Sequence, residues 1–107
     1  MNRGDVWQLD LGGGAGRRLA LILTRQAVIA HLNKVTVAEI TSVGKGYPTE
    51  VALDRKANLS KDSFVQLDNL QTVSKERFVK YVGSLDATTM RTVGRTLILA
   101  LGLDDAI

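Results

Sequence analysis

Apolar positions in this chain change their period once. Up to residue 83 they fall in short runs, several alternating with polar neighbours; after residue 86 they recur every third or fourth residue. The first pattern is that of β-strands and the second that of a helix. Trp7, Leu9 and Leu11 share one face of a half-buried strand over 5–11. Residues 18–24 form a short apolar run with the bounds of a buried strand. Val35, Val37 and Glu39 alternate against Thr36, Ala38 and Ile40 in a third strand, rich in β-branched residues, that ends at Thr41-Ser42. Residues 49–53 and 63–67 predict a fourth and a fifth; 69–73 continue the fifth with a bend or form a sixth. In the last strand, 78–83, Phe78, Lys80 and Val82 alternate against Val79 and Tyr81. Between the strands lie a glycine loop at 12–16, a Gly/Pro loop at 43–48, and a polar connection at 54–61 with room for one helical turn. Ser74 is placed to cap a turn at 74–77. Residues 25–33, which include the lone His31, fit a turn of helix or a short strand, and His31 is expected at the surface or the core edge.

The C-terminal helix has clear ends. Asp86 suits the N-cap, and Leu85 and Met90 form a hydrophobic staple. Met90, Val93, Leu97, Ala100 and Leu101 form one face, with Arg91 and Arg95 on the other side. Gly94 lies on the apolar face, where it would permit close approach to the sheet, and Gly102 suits the C′ position. Short strands followed by one helix predict a small twisted barrel covered on one side by that helix.

Composition narrows the chemistry. With 107 residues the chain suits a single domain over 1–107, and 45% hydrophobic with 23% charged residues can bury a core. Zero cysteines exclude a disulfide scaffold and Cys-based zinc or redox sites; one histidine excludes multi-His metal sites and paired-His acid–base chemistry. No metal site and no cofactor are expected. The start does not read as a signal peptide, and no apolar run is long enough to span a membrane, so the expected location is the cytoplasm. The net charge of +3 and pI of about 9.5 favour a polyanionic partner, bound through a local patch because acidic residues are interspersed.

One stretch concentrates candidate chemistry. Gly12-Gly13-Gly14-Ala15-Gly16 runs into Arg17-Arg18 at the root of the second strand. It is not a phosphate-binding P-loop, because Lys-Ser or Lys-Thr is missing at the required offset. A guanidinium on a rigid strand is nonetheless suited to grip phosphate or carboxylate through its planar fork of donors. Taken alone, the stretch reads rather as a hairpin turn with solvated arginines. Arg3-Gly4-Asp5 carries no integrin reading, since nothing marks the chain as secreted.

Several phrases, in order, resemble the MazF/PemK family of bacterial toxins. They are Arg3-Gly4-Asp5-Val6-Trp7, Gly16-Arg17-Arg18 entering an apolar strand, Ile40-Thr41-Ser42, and Pro48-Thr49-Glu50-Val51. Lys61-Asp62-Ser63-Phe64-Val65, Asp68-Asn69-Leu70-Gln71-Thr72-Val73 and the helix after Gly83-Ser84-Leu85-Asp86 complete the match. The resemblance implies a mainly β fold, an SH3-like barrel of the MazF/CcdB type with a C-terminal α-helix packed on the sheet. It implies a homodimeric toxin of a type II toxin–antitoxin system, a metal-independent, sequence-specific endoribonuclease that cuts single-stranded RNA. Its partner would be an antitoxin with an acidic, disordered tail. The family's active-site Arg and Thr fall on Arg18 and Thr41. Arg17, Lys45, Arg55, Lys56, Lys75 and Arg77, in loops or strand ends, would line an RNA groove with Ser42, Asn69 and Gln71. Three features depart from the family pattern: Leu19 replaces a proline, the first loop is shorter and richer in glycine, and Gln71 replaces an arginine.

Metal-free cleavage needs the 2′-hydroxyl aligned with the adjacent phosphate and the growing phosphorane charge stabilised. Arg18 suits the charge, and the Thr41 hydroxyl can bond the 2′-OH or a phosphate oxygen. The proton acceptor stays open: His31 is alone, Glu39 is near Thr41 in sequence, and Asp10 and Glu50 are near loops. The alternatives are a CcdB-like gyrase-binding toxin and a catalytically silent nucleic-acid-binding barrel. The first is disfavoured by a tail, Asp104-Asp105-Ala106-Ile107, that lacks the Trp of that group.

Overall fold

Two unlike faces of one strand organise the sheet. In the computed structural model, which describes residues 1–105, β3 (Lys34–Thr41) runs through its middle. Val35 and Val37 join an apolar cluster with Leu9, Ala20, Ile22, Ile29 and Val73. Ala38 and Ile40 point the other way, into a cluster with Leu21, Leu53, Val65, Leu67 and Val93. Side chains alternate across a strand, so each face gets its own core. On the first face the apolar series stops after Val37, and Glu39 and Thr41 continue it as polar, half-buried positions.

The other strands are β1 (Asp5–Asp10), β2 (Arg17–Ile22), β4 (Glu50–Asp54), β5 (Ser63–Ser74) and β6 (Phe78–Ser84). All ladders are antiparallel, in the order β4-β5-β3-β2-β1-β6. The barrel is not closed by strand pairing: β4 and β6 are the two edges. β4 has only five residues, and Asp54, Ala57 and Asn58 turn the chain with φ of 52°, 55° and 60° before it can pair again. That turn closes the gap instead. Asn58 Nδ2 donates to the Val82 carbonyl at 3.0 Å, and a Cβ on Gly83 would lie 2.3 Å from the Ala57 carbonyl oxygen. No helical turn forms over 54–61.

Residues 63–74 are one bent strand, not two. Ala38 pairs with Leu70 but Glu39 with Gln66, so Leu67, Asp68 and Asn69 bulge between the two ladders. The 25–33 segment settles as helix α1 (Gln26–Ile29), which buries Ile29 and leaves His31 exposed just beyond it.

Helix α2 (Ala87–Leu101) starts and stops as its residues require. Asp86 accepts from the Thr89 N–H at 2.7 Å, and Gly102 takes a left-handed φ of 66°. Leu85 is buried, and Met90 packs beside it on the cluster around Val93. Two local expectations fail. A Cβ at Gly94 would meet nothing within 4 Å, so that glycine permits no close approach; Val93, fully buried, makes the contact instead. Ser74 precedes the 3-10 turn at Lys75–Arg77 without a side-chain capping bond, and the Lys75 N–H donates to the Asn33 carbonyl. Ala106 and Ile107, the end of the tail and of the 1–107 span, lie outside the described residues.

Candidate active site

The β2–β3 ladder pairs Ala20 with Glu39 and Leu19 with Ile40, so Arg18 and Thr41 are the next residues past its end. Side-chain alternation puts Arg18, Glu39 and Thr41 on one face. They line one cavity of about 480 Å³. Arg17 and Ser42 extend the wall, and Ser60, Lys61 and Ser63 close the far side from the connection into β5.

Each site group has defined partners. Arg18 donates through Nη1 to the Arg17 carbonyl at 3.0 Å, and its Nε stands 3.6 Å from Glu39 Oε1. Its side chain stays 48% exposed, open to an incoming anion. Arg17 donates to Gln8 Oε1 at 3.1 Å, which splays it away from Arg18. Thr41 Oγ1 accepts from the Val43 N–H at 3.1 Å, so the hydroxyl proton remains free to be donated. Asn69, carried by the β5 bulge, donates to Glu39 Oε2. The cavity wall thus carries the cations Arg17, Arg18 and Lys61 against the single carboxylate of Glu39, a balance that suits a phosphate.

Upstream, the glycine loop is folded back by two bonds. Gly12 N–H donates to Asp10 Oδ1 at 3.0 Å and Leu11 N–H to the Gly16 carbonyl at 3.0 Å. Gly12 and Gly16 take φ of 71° and 64°, which the turn into Arg17 requires and a side chain would resist. A Cβ on Gly12 would also approach Arg77 Nη1 to 3.2 Å, which places that guanidinium against the loop.

The remaining predicted groove residues scatter. Gln71 borders a shallow depression next to Arg18 and Glu39. Lys45 lies in a second cavity of about 160 Å³ with Tyr47, Thr49, Glu50, Gln66, Asp68 and Asn69. There Glu50 is held below the usual carboxylate range, chiefly by the Gln66 amide; desolvation opposes this, and the Lys45 and Gly46 N–H groups add to it. Arg55 pairs with Asp62 at 3.7 Å and Lys56 with Asp54 at 3.5 Å, outside both cavities. Lys75 Nζ donates to the Ile29 carbonyl and so ties down the end of α1. Sequence reasoning left Lys61 off the site and named Glu39 only among the open candidates for the proton acceptor. The signal for Glu39 was its place two residues before Thr41 on the same strand face; Lys61 had none beyond its charge. Among the described residues no three His, Asp or Glu side chains gather so as to hold a metal ion, and no helix is long and apolar enough to cross a membrane.

Comparison with known proteins gives a consistent result. The family model of the PemK-like, MazF-like toxin of type II toxin–antitoxin systems matches residues 2–101. Endoribonuclease MazF3 of Mycobacterium tuberculosis is 38% identical over 87 residues, spanning 81% of this chain and 84% of the relative. Endoribonuclease MazF4 of the same organism is 33% identical over 101 residues, 94% of this chain and 92% of the relative. Among solved structures, Mycobacterium tuberculosis toxin MazF-mt6 superposes with a TM-score of 0.84 at 33% identity, covering 92% of this chain and 96% of that one. An endoribonuclease in complex with its cognate antitoxin, from a mycobacterial species, superposes with a TM-score of 0.83 at 30% identity, covering 96% of each chain.

Proposed function

The chain belongs to the PemK-like, MazF-like toxin family of type II toxin–antitoxin systems, and on that premise we propose that its endoribonuclease site is centred on Arg18 and Thr41. The protein is the toxin component of such a system and an endoribonuclease. The observation that carries the site is the meeting of Arg17, Arg18, Thr41, Ser42 and Lys61 around one cavity. The substrate is single-stranded RNA, cut at a short sequence without a metal ion. The 2′-oxygen attacks the adjacent phosphorus and the 5′-oxygen departs. Arg18 meets the phosphorane charge with fixed donors, and Thr41 donates its free proton to a phosphate oxygen. Lys61 and Arg17 hold flanking phosphates. Gln71, beside Arg18 and Glu39, and Asn69, which touches Glu39, border the same chemistry and take part in base selection. The endoribonuclease names of the relatives favour this reading over gyrase binding or a silent barrel.

The test is purified protein on a long single-stranded RNA with chelator present. Arg18→Ala should cut turnover about 10²- to 10³-fold, the loss expected for one donor to a developing charge. Full activity in that variant overturns the assignment.

Two partners follow. An antitoxin with an acidic segment would lay carboxylates on Arg17 and Arg18 and compete with RNA; a related endoribonuclease is solved with its cognate antitoxin. Titrating the antitoxin should abolish cleavage; tight binding that leaves cleavage intact rejects competition. A second copy of this chain is the other partner. Edge strand β6 leaves Val79 and Tyr81 half exposed beside Trp7, whose buried Nε1 has no hydrogen-bond acceptor. Sedimentation at micromolar concentration should give a dimer mass.

A further inference from the structure

We propose that Glu39 is the proton acceptor for the attacking 2′-hydroxyl. The inference rests on the RNA-cleavage reading of the same cavity. Glu39 is the one carboxylate lining it, on the same strand face as Thr41 and beside Arg18. Its side chain is 26% exposed, enough for contact with a bound strand. Its two oxygens are used differently. Asn69 donates to Oε2 and fixes the plane of the carboxylate. Oε1 stands 3.6 Å from Arg18 Nε, an electrostatic contact too long for a hydrogen bond, so its lone pairs are free to accept a proton. A phosphate gripped by Arg18 therefore lies next to a free carboxylate oxygen, as general-base attack requires.

The other candidates are occupied or elsewhere. Asp10 accepts from the Gly12 N–H in the glycine loop. Glu50 accepts from the Lys45 and Gly46 N–H groups and from Gln66, and Asp68 from Thr49; both line the second cavity. His31 lies exposed past α1, outside both cavities.

The step balances without a co-reactant. The 2′-hydroxyl proton passes to Glu39 Oε1, the O2′–P bond forms, and the P–O5′ bond breaks. The departing 5′-oxygen takes a proton from solvent, and Glu39 returns its own to water. The products are a 2′,3′-cyclic phosphate and a 5′-hydroxyl.

Glu39→Gln keeps the shape and an acceptor for Asn69 but cannot take the proton. Single-turnover cleavage by wild type, Glu39→Gln and Arg18→Ala is measured from pH 4.5 to 9, together with affinity for an uncleavable 2′-deoxy version of the cut strand. Glu39→Gln should lose roughly 10²- to 10⁴-fold in rate. It should bind the analogue as well as wild type or better, and lack the acid limb expected of wild type. Wild-type rate in Glu39→Gln, a rate loss that keeps the acid limb, or a loss confined to affinity each overturns the proposal. A dead Arg18→Ala beside a fully active Glu39→Gln rejects Glu39 alone, whereas a fully active Arg18→Ala rejects the site itself. If Glu39→Gln fails to fold, Glu39→Asp decides: a slower enzyme that keeps the acid limb supports the proposal, and loss of the limb overturns it.

Discussion

Thr41 has its oxygen engaged by the Val43 N–H and its proton unused, so its hydroxyl acts as a donor. Thr41→Ser should therefore stay close to wild type in cleavage. Thr41→Val should lose about 10- to 100-fold, the worth of one hydrogen bond to a charged group, with an unchanged circular dichroism spectrum. Gly83 makes the opposite case, a residue needed for what it lacks. Its missing Cβ is where the Ala57 carbonyl sits, so Gly83→Ala must displace backbone. It should destabilise the fold by about 3 kcal/mol or more, read from urea unfolding. At this scale the places of Arg18 and Thr41 at strand ends were legible, because strand alternation and the glycine boundary are local; their roles came only from the family resemblance. The Asn69–Glu39 contact was not: it depends on three residues of β5 bulging between two ladders, and no local period encodes where a register shifts.

Helix α2 was the most legible element, since its caps and apolar face are written in neighbouring residues. What it touches was not written there. Gly94 sits in open space with ordinary helical backbone, so Gly94→Ala should stabilise the protein by about 0.5–1 kcal/mol through helix propensity, seen as a raised melting temperature. The start of α2 and the loop before β4 share an acid sensitivity. Asp86 is held below the ordinary 3.8, first by the Thr89 N–H and next by the Thr89 side chain; Glu50 is held below 4.5, first by Gln66. A carboxyl that ionises more readily folded than unfolded stabilises above its unfolded value and stops doing so as pH falls through its folded one. Stability should be level above about pH 4.5 and decline below it, with a shallower decline in Asp86→Asn, followed by thermal melts at stepped pH. α1 stayed undecided between helical turn and short strand because four residues, Gln26–Ile29, are too few to set a period.

Across the whole molecule some cations line the cavity and others are held away from it. Arg17, Arg18 and Lys61 line it, while Lys75 is held by the Ile29 carbonyl. RNA affinity should fall with added salt, and Lys61→Ala should reduce the log–log slope by about 0.7, one single-strand phosphate. Lys75→Ala should leave the slope unchanged; filter binding across a salt series reads both. Barrel closure was the least legible feature, because it depends on where β4 stops and how the Ala57–Asn58 turn meets β6. The seam between β1 and β6 has a consequence during synthesis. β1 is zipped on its outer side only by β6, Asp5 pairing with Ser84, and Leu85 N–H reaches back to the Gly4 carbonyl. At ribosomal speed β6 emerges on the order of ten seconds after β1. Until then the nascent chain holds Val6 and Trp7 on a strand paired only with β2, its outer edge open, with the turn after β4 lacking its seat. Until residue 84 has emerged the sheet keeps an open edge at β1 and the core behind it stays incomplete, so the folded enzyme forms only after β6 has been made.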